Sequence, residues 1–414
     1  MQDSRKYLIF GAASVIFLLI SLSCIIVILL SENGKGKEHG ERTMALKSED
    51  NSTILKTDSD KKVERKLKMV QMIWRHGDRA PQSLPYPNDR NDEKMWPRGW
   101  NQLTNKGIKE ARDLGVFFRN YYKSSGFLQE FHKDRVYILS SETERTIMTA
   151  QAFAAGCFPP NEDSIWDNSS LKTWQPTPIH TTGPTEPDAF LMWRYINCPK
   201  LKQIYKADKK LVKKKIKKEY KELFKMLQNY TGYPKVNFDI VSSLYGIQHE
   251  MFHNMEQPGW IHEIWQNKSV IEHLRELKRI HKNLKMNSPE KAKFRGGLLL
   301  NGLIQNMLDF NSGASTINQY LYSSHDGTLA ALGYALNVSD HQLVTYVATY
   351  ILELYDDNSV QVLYRNNIVD APKSLIIPGC ERFCAMDKFL KLFENVRVKS
   401  YDELYLICGT GTKL

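Results

Sequence analysis

Apolar positions in this 414-residue chain recur with two periods, and the places where one gives way to the other mark out its elements. Residues 67–74 (LKMVQMIW) form a short, mostly apolar run with β-formers, which predicts a buried strand ending at an arginine. Residues 135–140 (RVYILS) and 320–323 predict two more strands, and 345–355 with 360–364 predict a hairpin around Asp356-Asp357-Asn358-Ser359. Helical spacing governs much of the rest. Ile108, Ala111, Leu114, Phe117 and Phe118 follow Thr104, a candidate N-cap. Residues 147–155, 296–308 and a run ending at Leu336 predict three further helices. From about 158 to 292 the pattern is helical, with turn-rich stretches early in it, and Val212, Ile216, Tyr220, Leu223, Phe224 and Leu227 mark one apolar face.

The N-terminus follows neither period. Residues 7–30 contain no charge, and 24 residues at about 1.5 Å each cross a bilayer core of about 30 Å. The alternative is a cleaved signal peptide, whose apolar core is usually shorter, about 7–15 residues; the length favours a retained anchor. Residues 31–65 are polar, lack aromatics and read as a stalk. The expected organisation is a cytosolic tail (1–6), a transmembrane signal-anchor (7–30), a linker (31–65) and a folded body (66–414), single-pass with the body lumenal or extracellular.

Composition is globular, with 42% hydrophobic and 25% charged residues. The net charge of +11 does not imply nucleic acid as a partner, because it is concentrated in twelve lysines between 200 and 225. That run reads as a solvated face, or as an attractor of anionic substrates or a membrane surface. Asn-x-Ser/Thr acceptors at Asn51, Asn168, Asn229, Asn267 and Asn337 all follow the apolar segment, which fits a glycosylated product. The six cysteines show no metal-ligand spacing.

Candidate chemistry sits just past the predicted strands, where open α/β sheets bind ligands. After the first comes Arg75-His76-Gly77-Asp78-Arg79-Ala80-Pro81, whose two arginines offer planar forks for phosphate oxygens. After the second, Arg145 stands at the mouth of a helix, beside unpaired N–H groups that favour anions. After the third comes Ser324-His325-Asp326-Gly327-Thr328. The first segment resembles the RHG-x-R-x-P opening of the histidine acid phosphatases; WP-x-G-x-x-QLT-x-x-G at 96–107 and His325-Asp326 extend the likeness over nearly all of the chain beyond residue 66. Family members often carry aspartate where Glu142 or Glu144 stands, and threonine where Gly327 stands.

That resemblance implies an α/β fold class: a Rossmann-like mixed sheet flanked by helices, with an inserted, mostly helical cap at roughly 158–292 and, in this chain, an N-terminal transmembrane helix. It implies a phosphoric monoester hydrolase in which His76 is the nucleophile, Asp326 the proton donor, and Arg75, Arg79, Arg145 and His325 hold phosphate. A phosphomonoester is then the substrate, no cofactor or metal is expected, and dimers occur among animal relatives. It further implies the disulfides Cys198–Cys408 and Cys380–Cys384, leaving Cys157 over among the five cysteines beyond the apolar segment, which holds Cys24. A narrower phosphatase for a lysophospholipid, inositol phosphate or glycan phosphate is the enzymatic alternative. An inactive surface interaction protein is the other.

Overall fold

The computed structural model describes residues 64–162, 165 and 174–411. The expected membrane span, nearly all of the linker, Asn51 and Asn168 lie outside the described residues. No described helix is long and apolar enough to cross a membrane.

The strands are β1 (Leu67–Arg75), β2 (Val136–Ser140), β3 (His180–Thr181), β4 (Ile264–Trp265), β5 (Lys268–Ser269), β6 (Gln319–Ser324), β7 (Thr349–Tyr355), β8 (Ser359–Arg365), β9 (Lys373–Leu375) and β10 (Cys384–Ala385). The α-helices are α1 (Asn105–Tyr121), α2 (Glu144–Cys157), α3 (Pro199–Glu219), α4 (Lys221–Thr231), α5 (Val241–Leu244), α6 (Ile247–Phe252), α7 (Val270–Asn283), α8 (Pro289–Ser312), α9 (Asp326–Ala335), α10 (Met386–Phe393) and α11 (Tyr401–Cys408).

Eight strands form one mixed sheet in the order β10-β8-β7-β1-β6-β2-β3, with β9 paired to β8. β1, β6, β2 and β3 run parallel, while β7 and β8 are antiparallel additions. β1 is apolar on both faces because it is covered on both. Met69 and Ile73 pack with residues of α8, α9 and α10, whereas Val70, Met72 and Trp74 pack with α1 and α2. Trp74 stacks on Phe153 of α2 with ring centroids 4.2 Å apart.

Helices α3–α7 enclose a core of their own, in which Leu223, Leu227, Val241, Leu244, Leu274 and Leu277 are fully buried. Tyr86, from the loop after β1, joins that core, and Asn88 N–H donates to the Thr231 carbonyl at 3.2 Å. Two residues within the range expected as helical cap belong instead to the main sheet. His180 and Thr181 pair in parallel with Leu139 and Ser140, since their backbone completes the otherwise open edge of β2. The expected hairpin strand at 345 begins only at Thr349; residues 345–348 turn, with Ala348 N–H donating to Thr345 O at 3.3 Å and Ala348 O accepting from Arg75 N–H at 3.0 Å.

Both implied disulfides are present, Cys198–Cys408 and Cys380–Cys384. Cys157 is a buried free thiol whose Sγ approaches Leu128 O at 3.6 Å, and burial pushes its pKa up. The lysines of α3 are largely solvated: Leu201 and Ile216 are its buried positions.

Candidate active site

Three neighbouring parallel strands, β1, β6 and β2, end on the same edge of the sheet, and register brings their loops together. Arg75 pairs with Ser324, and Ser140 with Ser323. Two backbone bonds then tie the loops beyond: His76 N–H donates to Ser324 O at 2.9 Å and Ser141 N–H to Ser323 O at 3.1 Å. As a result Arg75, His76, Arg79, Arg145, His325 and Asp326, spread over 251 positions, line one cavity of about 290 Å³.

The loop that carries His76 is held by the segment that follows it. Gly77 and Gly107 cross backbone to backbone: a Cβ on Gly107 would lie 2.1 Å from the Asp78 carbonyl oxygen, and one on Gly77 2.3 Å from that of Gly107. The Thr104 hydroxyl caps α1 at Gly107 N–H and donates to Asp78 Oδ2 at 2.6 Å. Asp78 N–H donates to Glu110 at 2.9 Å, and burial raises that carboxyl to about 7. From the cap, His253 Nε2 meets Asp78 Oδ2 at 2.5 Å. The 96–107 motif is therefore the clamp on the loop.

Hydrogen bonding sets the tautomer of His76. Its Nδ1 lies 2.8 Å from the Gly77 carbonyl, which only accepts, so Nδ1 carries the proton and the Nε2 lone pair is free. Burial and the nearby cations, led by Arg75, hold its pKa well below the usual imidazole value. Both effects favour the neutral ring, the form a nucleophile requires.

His325 is arranged the other way round. Arg145 Nη2 donates to its Nδ1 at 3.3 Å, so Nε2 carries the proton and donates to Ser141 Oγ at 2.8 Å. Burial and Arg145 hold its pKa at about 3. Both ring nitrogens are engaged within the protein, and through Nδ1 the ring orients Arg145. Its centroid lies 5.5 Å from that of His76.

The guanidiniums are placed but not neutralised. Arg75 stacks on Tyr346, with Cζ 4.0 Å from the ring centroid, and Nη1 donates to Val344 O at 2.7 Å. Its Nε and that of Arg145 are buried without a partner. Burial lowers the pKa of both Arg79 and Arg145, the latter to about 10. Such donors suit a dianion with several oxygens.

Asp326 departs from the simplest expectation. It begins α9 and its carboxylate lies 2.6 Å from Lys282 Nζ on α7. Burial pushes the carboxyl up, but Lys282 and Arg75 outweigh it and hold the group well below the usual range. Asp326 is therefore held ionised rather than as a resting acid.

Several residues of the site escaped sequence reading. Tyr346, on the cavity wall, lies in a stretch that reads as strand, and Ser141, the partner of His325, in a polar turn. His249, Lys278 and Lys282 come from helices whose charges look solvated. No local pattern distinguishes them.

Residues 66–365 match the model of the histidine phosphatase superfamily (branch 2). The chain belongs to that superfamily. This histidine phosphatase is 33% identical over 348 residues to the prostatic acid phosphatase of Rattus norvegicus, covering 80% of this chain and 87% of that one. It is 32% identical over 349 residues to the lysosomal acid phosphatase of Homo sapiens, covering 82% and 80%. The solved Hafnia alvei phytase in complex with tartrate shares the fold, with a TM-score of 0.61 at 17% identity over 81% of this chain and 98% of its own. The expected phosphomonoester hydrolase stands with this membership.

Proposed function

We propose that this histidine phosphatase is an acid phosphatase that hydrolyses phosphate monoesters through a phosphohistidine at His76. The observation that carries the reading is the neutral His76, protonated at Nδ1 against Gly77 O and lining the same cavity as three guanidiniums. Nε2 attacks phosphorus, and the ester P–O bond breaks with its electron pair leaving on oxygen, which takes a proton from Asp326. Water then attacks phosphorus and gives its proton to the Asp326 carboxylate. The N–P bond breaks, its pair returns to Nε2, and inorganic phosphate departs. Arg75, Arg79 and Arg145 stabilise the transferring phosphoryl group.

Because Asp326 is ionised in the free site, its proton is taken up with the substrate. A bound phosphoryl group offsets the cations that depress the carboxyl, and a phosphate monoester itself carries a proton below its second pKa of about 6. Acid conditions supply that proton. The test uses the full-length chain and rapid quenching with a labelled monoester. An acid-labile, base-stable phosphoenzyme is expected, and His76→Ala removes both it and turnover while circular dichroism stays native. Turnover near wild type in His76→Ala would eliminate His76 as nucleophile.

The same reading takes the body as lumenal or extracellular and anchored through residues 7–30. Two disulfides, the exposure of Asn229, Asn267 and Asn337, and relatives that include lysosomal acid phosphatases support it. Retention in the membrane pellet after alkaline carbonate, together with a mass shift on glycosidase treatment, is expected. Release into the supernatant overturns the anchor.

A further inference from the structure

The cap helix α7 brings two cations to the cleft that the chemistry at His76 does not use. Lys278 and Lys282 lie about one turn apart and both line the active-site cavity. Five cationic side chains and one carboxylate line that cavity: Arg75, Arg79, Arg145, Lys278 and Lys282 against Asp326. A bound phosphate dianion leaves two positive charges uncompensated, and the guanidiniums are already assigned to phosphate oxygens. The surplus therefore belongs to the lysines.

Their contacts fit that surplus. Lys278 Nζ has no carboxylate partner among the described residues; it donates to Ser242 O at 3.4 Å and lies 5.9 Å from the Tyr245 ring centroid. Lys282 has Asp326 as its one carboxylate partner among the described residues, and the two side chains remain 27% and 29% exposed, so an anion entering the cleft can reach the pair. Lys282 and Asp326 also line an adjoining cavity of about 200 Å³ that holds Arg295, which adds room and further positive charge beside the pair. While the pair is closed, the carboxylate that must serve the leaving oxygen is occupied.

We propose that Lys282 is a lock on Asp326, opened by an anionic group carried on the leaving alcohol. A carboxylate or second phosphate on that alcohol draws Lys282 away, with Lys278 beside it, and Asp326 is released to take up and deliver its proton. The enzyme thereby prefers phosphomonoesters whose alcohol is itself negatively charged. The inference rests on the roles given above to His76 and Asp326. Lys282 is a positioning residue for Asp326 as well as a determinant of specificity.

The electrostatic surroundings agree. Arg75, Arg79, Arg145 and His325 face Asp326 from the loops at the sheet edge, and Lys278, Lys282 and Lys285 from the cap side; His76 and His325 are held neutral. Burial, followed by Lys282, lowers the pKa of Lys278 to about 7. Lys278 is charged below that pH and loses its charge above it, so the preference weakens as pH rises through neutrality.

The test compares 2-phosphoglycerate with β-glycerophosphate, which differ by a carboxylate in place of a hydroxymethyl group, and fructose 1,6-bisphosphate with fructose 6-phosphate. Full-length wild type, Lys282→Met and Lys282→Gln are assayed from pH 4 to 8. Wild type is expected to favour the carboxylate-bearing ester by about tenfold in kcat/KM at pH 5; a matching preference for the bisphosphate shows that phosphate opens the lock too, and its absence restricts the opener to a carboxylate. Each neutral variant brings the ratio close to one. Each also moves the alkaline limb of the β-glycerophosphate profile to higher pH, because Asp326 has lost its nearest cation. Equal rates on both esters in wild type, or a preference and limb unchanged in whichever variant keeps a native melting curve, overturn the lock. Loss of turnover in His76→Ala alongside an unchanged ratio sinks the lock alone, whereas turnover surviving in His76→Ala sinks the mechanism beneath it.

Discussion

Replacing Gly107 by alanine isolates the contact that sets the loop carrying His76. The added Cβ would lie 2.1 Å from the Asp78 carbonyl oxygen and 2.6 Å from its backbone nitrogen. Both are backbone atoms, which cannot swing aside as the tip of a side chain does. A normal separation requires the loop and the first turn of α1 to part by about 1 Å, and overpacking of this kind costs about 1–3 kcal/mol. At about 2–4 °C per kcal/mol for a large domain, Tm falls by several degrees and the protein still folds. Turnover suffers more than stability. His76 and Arg79 flank Asp78 on that loop, and a displacement of about 1 Å in reacting geometry costs about 100-fold. The expected outcome in Gly107→Ala is a kcat/KM for p-nitrophenyl phosphate about 100-fold down, with circular dichroism near native. Gly126→Ala is the control: its φ of +75 strains an alanine by about 1–2 kcal/mol, yet nothing lies within 4 Å of the new methyl, so stability drops and turnover holds. A Gly107→Ala enzyme within about twofold of wild type would show that this crossing does not position the nucleophile.

Three other outcomes are expected. A carboxyl held low stabilises the fold above its ordinary value near 3.9 and loses that contribution as pH falls through its lower folded value, so Asp326→Asn lowers Tm at pH 6 and the gap narrows as pH falls below that ordinary value; a gap that does not narrow on acidification contradicts the ion pair with Lys282. Cys198 and Cys408 close a loop of sequence separation 210, and replacing both with serine costs about 3–5 kcal/mol, read by urea denaturation; a midpoint equal to wild type counts against the bridge. Tyr346→Ala removes the ring under Arg75, a partly desolvated contact worth about 1–2 kcal/mol, and raises KM for a simple monoester about tenfold with a smaller change in kcat.

The fold was legible where periodicity and local chemistry agreed. The strand at 67–74 reads as buried because both its faces are apolar, and Thr104 as a cap because a hydroxyl precedes an amphipathic run; both hold, the latter with a bond to Gly107 N–H. The hairpin strand starts at Thr349 and not at 345, because residues 345–348, apolar enough to pass for strand, turn to bond with Arg75. His180–Thr181 were hidden for the opposite reason: two residues are too few to show a period, and only the free edge of β2 makes them strand.

Six site residues were readable because each lies within a few positions of a strand end or in a compact motif, and the chemistry of short motifs is written in neighbouring residues. What the chain order does not contain is their meeting. That came from the parallel pairing of β1 with β6 and β6 with β2, which aligns three strand ends separated by the α1 connection and by a long excursion through the cap. The same is true of everything that tunes the site. The tautomer of His325, the ring beneath Arg75 and the lysine across from Asp326 all arise from contacts set by packing, and several join positions more than 150 residues apart. Local sequence dictates which groups are available; burial and proximity, which exist only once the chain has closed on itself, decide their protonation and their partners.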